Sequence, residues 1–353
     1  MTRDRLQIGL IGCGAISQYA HLPALAKARS ARLTAICDRA EDLLTRIGQQ
    51  MGIRRLYVDH RQLLADETVD AVLIAVPDAF HVPLATAALR AGKHVLVEKP
   101  LGANSAECRE LAQLVKQTSL KLQVGSMKRY DPGLAFAHQF VRERLGGILS
   151  ISGWYRDTLF RSGLQESLLP PLLSSNQYIK AAGNPKADKQ DYSLVTHGAH
   201  LFDNFSYLGG RVTAVTVQMA HQFNQYSWHG LLEFEHGGLG HFELTVKVNS
   251  DWSEGYVIHG EGGSVEVQTF LPFYNRSSEV RAFDAKERQW LVPYRVDSNA
   301  YLRQLEAFAE AVLRDEPVSP NVEDGLAVVR LLEAVARSVA TRSRIELEAP
   351  GLS

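Results

Sequence analysis

Short apolar runs alternate with stretches of helical period over the first third of the chain. Residues 7–11, 31–37, 71–76, 94–97 and 120–125 read as strands. A pattern through Ala20, Leu22, Leu25 and Ala28, together with residues 59–65, 82–91 and 105–118, reads as helix. Near-continuous apolar strands joined by helices predict a doubly wound parallel sheet. Right-handed crossovers then bring the loops after the strands to one edge of that sheet.

Beyond about residue 125 the period changes. Residues 149–155 alternate like a strand, and residues 156–192 form a polar, proline-bearing stretch with little periodicity. A loop of that length in a compact domain is usually a lid or a binding loop, here with Arg161, Gln165, Asn176, Tyr178 and Lys180 as candidates. Residues 194–208 look helical. Strand-like runs follow at 212–219, 228–234, 239–248, 256–260 and 264–269, with turns at His236-Gly237-Gly238 and Glu261-Gly262-Gly263. Residues 298–314 and 322–339 read as closing helices. Consecutive strands without intervening helices predict an α+β domain with one large, mostly antiparallel sheet. The expected division is residues 1–125 and 126–353, with the C-terminal helices near the junction. The sheet face left without a helix layer is an expected homodimer or homotetramer interface.

The loop after the first strand, Gly12-Cys13-Gly14-Ala15-Ile16-Ser17, opens a helix. Gly12 permits the tight turn and Gly14 the approach of a pyrophosphate, whose charge the helix start stabilises. Ser17 stands where a third glycine is usual, and it is small enough for close packing. This strand–turn–helix marks a Rossmann dinucleotide site. Asp38 ends the second strand, placed for the adenosine ribose hydroxyls, which favours NAD; Arg39 beside it leaves NADP open. Val76, Pro77, His81, Glu98 and Lys99 close the following strands on the same edge and join Gly12, Gly14, Ala15 and Ile16 as expected cofactor contacts. Lys99, in Glu98-Lys99-Pro100, is placed to touch both cofactor and substrate. Lys128, Arg129 and Tyr130 follow the last strand of the sheet, and one of them is expected at the nicotinamide ribose or substrate. Trp154 and Arg156 are expected as substrate contacts, an indole to stack on a ligand face and a guanidinium to hold a hydroxyl or carboxylate.

Composition adds exclusions. The chain has 353 residues, 45% hydrophobic and 22% charged, which is ordinary for a globular enzyme of two domains. Lys and Arg number 38 against 39 for Asp and Glu, so no electrostatic case exists for nucleic acid or an anionic membrane. Cys13, Cys37 and Cys108 lack metal-ligand spacing and are expected as buried thiols, in keeping with a cytoplasmic compartment. No metal is expected, and neither a signal peptide nor a membrane span.

The Gly12–Gly14 loop, Val76-Pro77 with His81, Glu98-Lys99-Pro100, Lys128-Arg129-Tyr130-Asp131-Pro132 and the segment around Gly198, His200 and Asp203 together resemble the Gfo/Idh/MocA family, named for glucose–fructose oxidoreductase and inositol dehydrogenase. The resemblance covers essentially the whole chain. It implies an NAD(P)-dependent oxidoreductase acting on a secondary alcohol of a sugar, cyclitol or related polyol. The family lysine maps to Lys99 and the family histidine to His200. Such chemistry needs a base for the hydroxyl proton and a cation at the developing alkoxide, roles that suit His200 and Lys99.

One departure stands out. The family usually has an Asp four residues before that histidine, and here the position is Thr196. Residues 196 and 200 share a helix face, so Thr196 can reach the substrate, but it cannot hold a negative charge. His197 adds an imidazole turned about 100° around the helix. Thr196, His197, Lys128, Trp154, Arg156 and Tyr178 are the expected substrate contacts. A redox-neutral enzyme (epimerase, lyase or glycosidase) with tightly bound NAD and a transient keto intermediate is the alternative. A non-catalytic dinucleotide sensor is a third reading, which retention of Lys99 and His200 opposes.

Overall fold

The structure, a computed structural model, describes residues 4–176, 188–294 and 296–348. It divides into two compact units, each with its own sheet.

In the first unit, β1 (Leu6–Ile11), β2 (Ala31–Cys37), β3 (Arg55–Tyr57), β4 (Ala71–Ile74), β5 (His94–Glu98) and β6 (Leu122–Gly125) form a parallel sheet in the order β3-β2-β1-β4-β5-β6. The order reverses direction between β1 and β4, and such a switch point opens the crevice where doubly wound sheets bind ligands. The helices are α1 (Leu22–Lys27), α2 (Glu41–Met51), α3 (His60–Leu64), α4 (His81–Arg90) and α5 (Ser105–Lys116). A wider, π-type turn (Ser17–His21) leads into α1. Asn104 and Glu107 form a reciprocal capping box that starts α5. The sheet core is aliphatic, with Val72, Ile74, Val95, Val97 and Val124 buried. β3 carries no apolar signal of its own, since it is a three-residue edge strand whose first residue, Arg55, is exposed.

The second unit begins with α6 (Pro132–Glu143), β7 (Ile148–Thr158), α7 (Arg161–Leu168) and α8 (Lys189–Gly209). Eight strands follow: β8 (Val212–Gln222), β9 (Gln225–Phe234), β10 (Leu239–Val248), β11 (Ser253–Gly260), β12 (Gly263–Thr269), β13 (Glu279–Asp284), β14 (Gln289–Leu291) and β15 (Ile345–Glu346). They join β7 in one sheet, ordered β14-β13-β12-β11-β7-β10-β9-β8-β15, in which only the β7–β10 pair is parallel. Helices α8 and α6 cover one face. The approach of α8 is close: a Cβ on Gly153 of β7 would stand 2.8 Å from the Phe205 ring. The two expected glycine turns do connect β9 to β10 and β11 to β12.

The stretch 156–192, expected as loop, is partly regular, because β7 runs on to Thr158 and α7 follows. Its inward side chain at 157 is a carboxylate, so no hydrophobic alternation announces the extension. The α6 helix, although Asp131 caps it and Pro132 opens it, and the β13–β14 hairpin also lie outside the expected pattern.

Helices α9 (Ala300–Leu313) and α10 (Val322–Thr341) close the chain. The single division at residue 125 gives way to a more interleaved one. The first unit comprises 1–127, 169–184 and 301–329; the second comprises 128–168, 185–300 and 330–353. The reason is packing. Val322, Leu326 and Val329 are buried in the first unit's core, and a Cβ on Gly325 would meet Val124 at 2.8 Å and Leu101 at 2.9 Å. Main-chain Val124 N–H also donates to Pro320 O at 2.9 Å.

Candidate active site

Each unit carries a share of the candidate residues and is described by itself. In the first unit the loops after β1, β2, β4 and β5 share the sheet's carboxyl edge, as parallel strands require. Gly12 has φ 98°, and a Cβ there would lie 2.3 Å from Ala75 O, so only glycine fits. Gly14 is exposed, and a Cβ there would meet nothing within 4 Å. The backbone is thus bare where a pyrophosphate would approach. Ser17 Oγ donates to Gly12 O at 2.6 Å and locks the turn. Asp38 is held from two sides: its Oδ2 accepts Cys13 N–H at 2.7 Å and its Oδ1 accepts Ala40 N–H at 2.9 Å. Each oxygen keeps a lone pair for a ribose hydroxyl. Arg39, Ala15 and Pro77 are exposed, and Ile16 and Val76 half-buried. These residues fit a dinucleotide.

Glu98 and His81, expected as cofactor contacts, are both buried and paired within the protein. Glu98 is buried; its Oε1 lies 2.9 Å from His21 Nε2 and its Oε2 accepts Lys99 N–H at 3.2 Å. Burial works to raise its pKa. The His21 hydrogen bond and charge, aided by Lys99 and His81, outweigh that and hold the carboxyl below its ordinary value. His81 is also buried, with Nδ1 2.7 Å from Pro100 O and Nε2 2.8 Å from Val76 O. His81 ties the loops after β4 and β5 together, and Glu98 ties the end of β5 to the turn before α1, leaving the half-buried Lys99 at the edge.

Two residues that the sequence pattern does not single out extend this site. The Gln18 amide accepts Leu173 N–H at 2.9 Å and donates to Leu173 O at 3.1 Å. Asp42 accepts Ser175 Oγ at 2.5 Å and Asn176 N–H at 3.0 Å. Residues 173–176, inside the stretch expected as a lid, are therefore fastened just past the glycine loop and just past Asp38. Its partners lie more than a hundred positions away in sequence, beyond the reach of any local signal.

In the second unit β7 sorts the candidates by face. Ile151, Gly153, Tyr155 and Asp157 point to the covered side; Ser152 and Arg156 are exposed and Trp154 is half-buried on the other. Trp154 Nε1 donates to Ser253 Oγ at 2.9 Å, and Arg156 forms a two-pronged pair with Glu243 at 2.8 and 2.6 Å. Period-two alternation thus turns Trp154 and Arg156, expected as substrate contacts, away from the face that α8 covers.

The covered face holds a polar cluster. His197 Nδ1 lies 3.3 Å from Tyr155 Oη, and its Nε2 lies 3.7 Å from Asp157 Oδ2. The His200 ring is parallel to that of Tyr155, with interplanar angle 3° and centroids 6.4 Å apart. Burial raises the Asp157 pKa, with Arg161 opposing. Burial likewise pushes the Tyr155 phenol up, so it stays protonated. Lys128 is buried in an ion pair with Glu254 and lies 4.9 Å from the Tyr155 ring centroid and 5.2 Å from that of Trp252. Glu254 also accepts from Asn204 at 3.0 Å and Tyr256 at 2.8 Å. Lys128, expected as a substrate contact, is held by Glu254 in the wall of the cluster. Arg129 is similarly committed to Asp203, at 2.9 and 2.7 Å. Thr196 and His200 are both half-buried on α8, one turn apart. Tyr178 lies outside the described residues. Among the described residues no group of His, Cys, Asp and Glu could hold a metal ion.

Residues 6–126 match the family model described as an oxidoreductase family with an NAD-binding Rossmann fold, and residues 183–347 match its C-terminal alpha/beta domain. The chain is 26% identical over 351 residues to a D-xylose 1-dehydrogenase (NADP(+)) of Haloferax volcanii, covering 97% of this chain and 100% of that protein. It is 26% identical over 356 residues to an inositol 2-dehydrogenase of Rhizobium meliloti, covering 97% and 99%. A solved NAD binding oxidoreductase from Klebsiella pneumoniae shares the fold, with TM-score 0.82 and 22% identity over 98% of this chain and 100% of that one. The chain belongs to the Gfo/Idh/MocA oxidoreductase family, with that family's NAD-binding Rossmann domain and C-terminal alpha/beta domain.

Proposed function

We propose that this protein oxidises a secondary alcohol of a sugar or cyclitol with NAD(P), and runs the reverse reduction. The observation that carries the reading is the first unit's edge: bare backbone at Gly14, the fixed Asp38 carboxylate and Lys99 at the end of β5. Family membership and relatives named for xylose and inositol dehydrogenation support it. Gly12, Gly14, Ala15 and Ile16 would hold the pyrophosphate, and Asp38 the adenosine ribose. The Asp38 charge favours NAD over a 2′-phosphorylated cofactor, while the adjacent Arg39 could hold the extra phosphate of NADP. The nicotinamide, when bound, supplies the hydride chemistry.

The chain's own residues supply the rest. His200 takes the hydroxyl proton. The Lys99 ammonium stabilises the alkoxide as charge develops, which a hydroxyl alone would do poorly at neutral pH. Thr196, one turn from His200, offers a neutral hydrogen bond to a substrate hydroxyl. Glu98 and His81 hold the Lys99 loop in place.

The test is the appearance of NAD(P)H absorbance with a panel of pentoses, hexoses and cyclitols. Net NAD(P)H formation with at least one is expected. Substrate conversion without net NAD(P)H would instead select the redox-neutral reading, to which the dehydrogenase names of the relatives lend nothing.

Cytoplasmic residence is supported by three buried thiols, with burial holding Cys37 up to about 12. No described helix is long and apolar enough to cross a membrane. A homo-oligomer through the outer sheet face is supported by the exposed Leu231, Leu239 and Trp290 there. Sedimentation showing only monomer at micromolar concentration would refute the oligomer.

A further inference from the structure

Position 196 lacks the carboxylate that the resemblance leads one to expect. Thr196 is neutral, so no carboxylate stands one turn before His200 on α8. The second unit offers another source. Asp157 is the inward-facing residue next after Tyr155 on β7, and it is 7% exposed. A carboxylate on the covered face of a sheet costs several kcal/mol unless paired. Its pairing is incomplete. Oδ1 lies 3.2 Å from Arg161 Nη1, yet among the described residues it accepts no well-formed hydrogen bond. Oδ2 faces His197 Nε2 at 3.7 Å.

His197 carries the effect onward. Tyr155 Oη lies 3.3 Å from Nδ1; with the hydroxyl as donor, the ring carries its proton on Nε2, toward Asp157. His197 and His200 are three residues apart on α8 and hence side by side. His200 also lies parallel to the same tyrosine ring. The other charged groups around the cluster are Arg161 from α7, and Lys128 and Glu254 beside the Tyr155 ring, which pair with each other. Asp157 is the anion in this set that faces an imidazole.

We propose that Asp157 is a positioning residue for His200: through His197 and the Tyr155 hydroxyl it supplies, from β7, the negative charge that Thr196 cannot supply from α8. The kinetic consequences rest on the dehydrogenase reading; the electrostatic ones do not.

The experiment pairs NMR titration of the histidines in cofactor-free protein with steady-state kinetics. Asp157→Asn is expected to lower the His197 midpoint by about one pH unit or more, and Asp157→Glu to retain it. In the active enzyme, Asp157→Asn should lower kcat about tenfold or more and move the acidic limb of its pH profile to lower pH. Adding Thr196→Asp to Asp157→Asn should recover most of that loss. An unchanged His197 midpoint in Asp157→Asn overturns the proposal, as does an unchanged kcat and profile in a protein that forms NAD(P)H. Wild-type protein that forms no NAD(P)H defeats the functional reading, while the titration still decides the electrostatic one. Should Asp157→Asn fail to fold, Asp157→Ser takes its place in the same titration, and an unchanged His197 midpoint overturns the proposal.

Discussion

Lys99 shows how little of a residue's role lies in the residue. Its place at the end of a buried strand is legible from the chain, but its setting is made by Glu98 and His81, which turn inward and hold the loop. Lys99→Ala should lower kcat about 10²–10⁴-fold, while fluorescence titration shows NAD binding within about threefold of wild type. Wild-type turnover would remove Lys99 from the mechanism. Glu98 makes a separate, pH-dependent contribution. Its folded pKa lies below the ordinary 4.5, so its stabilisation is present above that pH and lost as pH falls below 4.5 through the folded value. Urea midpoints measured from neutral pH down to about pH 3.5 should therefore fall less steeply in Glu98→Gln than in wild type. Parallel slopes would show that Glu98 does not contribute in that window.

Between elements, buried ion pairs do the fastening. The turn before α6 is tied to α8 by Arg129 and Asp203, a two-pronged pair in which both side chains are buried. Deleting one partner leaves a buried charge, so Asp203→Ala should cost about 3–5 kcal/mol in chemical denaturation. A loss below about 1 kcal/mol would mean that the pair is not energetically coupled to the fold. The same logic explains why Arg129 and Lys128 are easy to misread. Their sequence neighbourhood, after the last strand of the first sheet, promises a ligand contact. Their partners Asp203 and Glu254, 74 and 126 residues away, claim them instead. Trp154 and Arg156 illustrate a different limit. Alternation along β7 separates two faces, but only the packing of α8 says which face is covered.

At the scale of the chain, the first unit is not a contiguous segment, because residues 301–329 complete it. Burying Val322, Leu326 and Val329 is worth about 1.5–3 kcal/mol each, a large part of a typical stability of about 5–15 kcal/mol. A fragment of residues 1–127 should therefore unfold at markedly lower urea than the whole protein, or not fold. A cooperative transition at the full-length midpoint would contradict this. The α/β alternation, the glycine loop, Asp38 and Lys99 were determined by the sequence alone. Each depends on a strand, a turn and a helix start that are neighbours along the chain. The large second sheet was also legible, from alternation and glycine turns. Only the tertiary structure decided the His21–Glu98 pair, the covered face of β7 and the Asp157–His197–Tyr155 cluster. A buried polar side chain carries no periodic signal, and its partner is chosen by packing between elements, not by spacing along the chain.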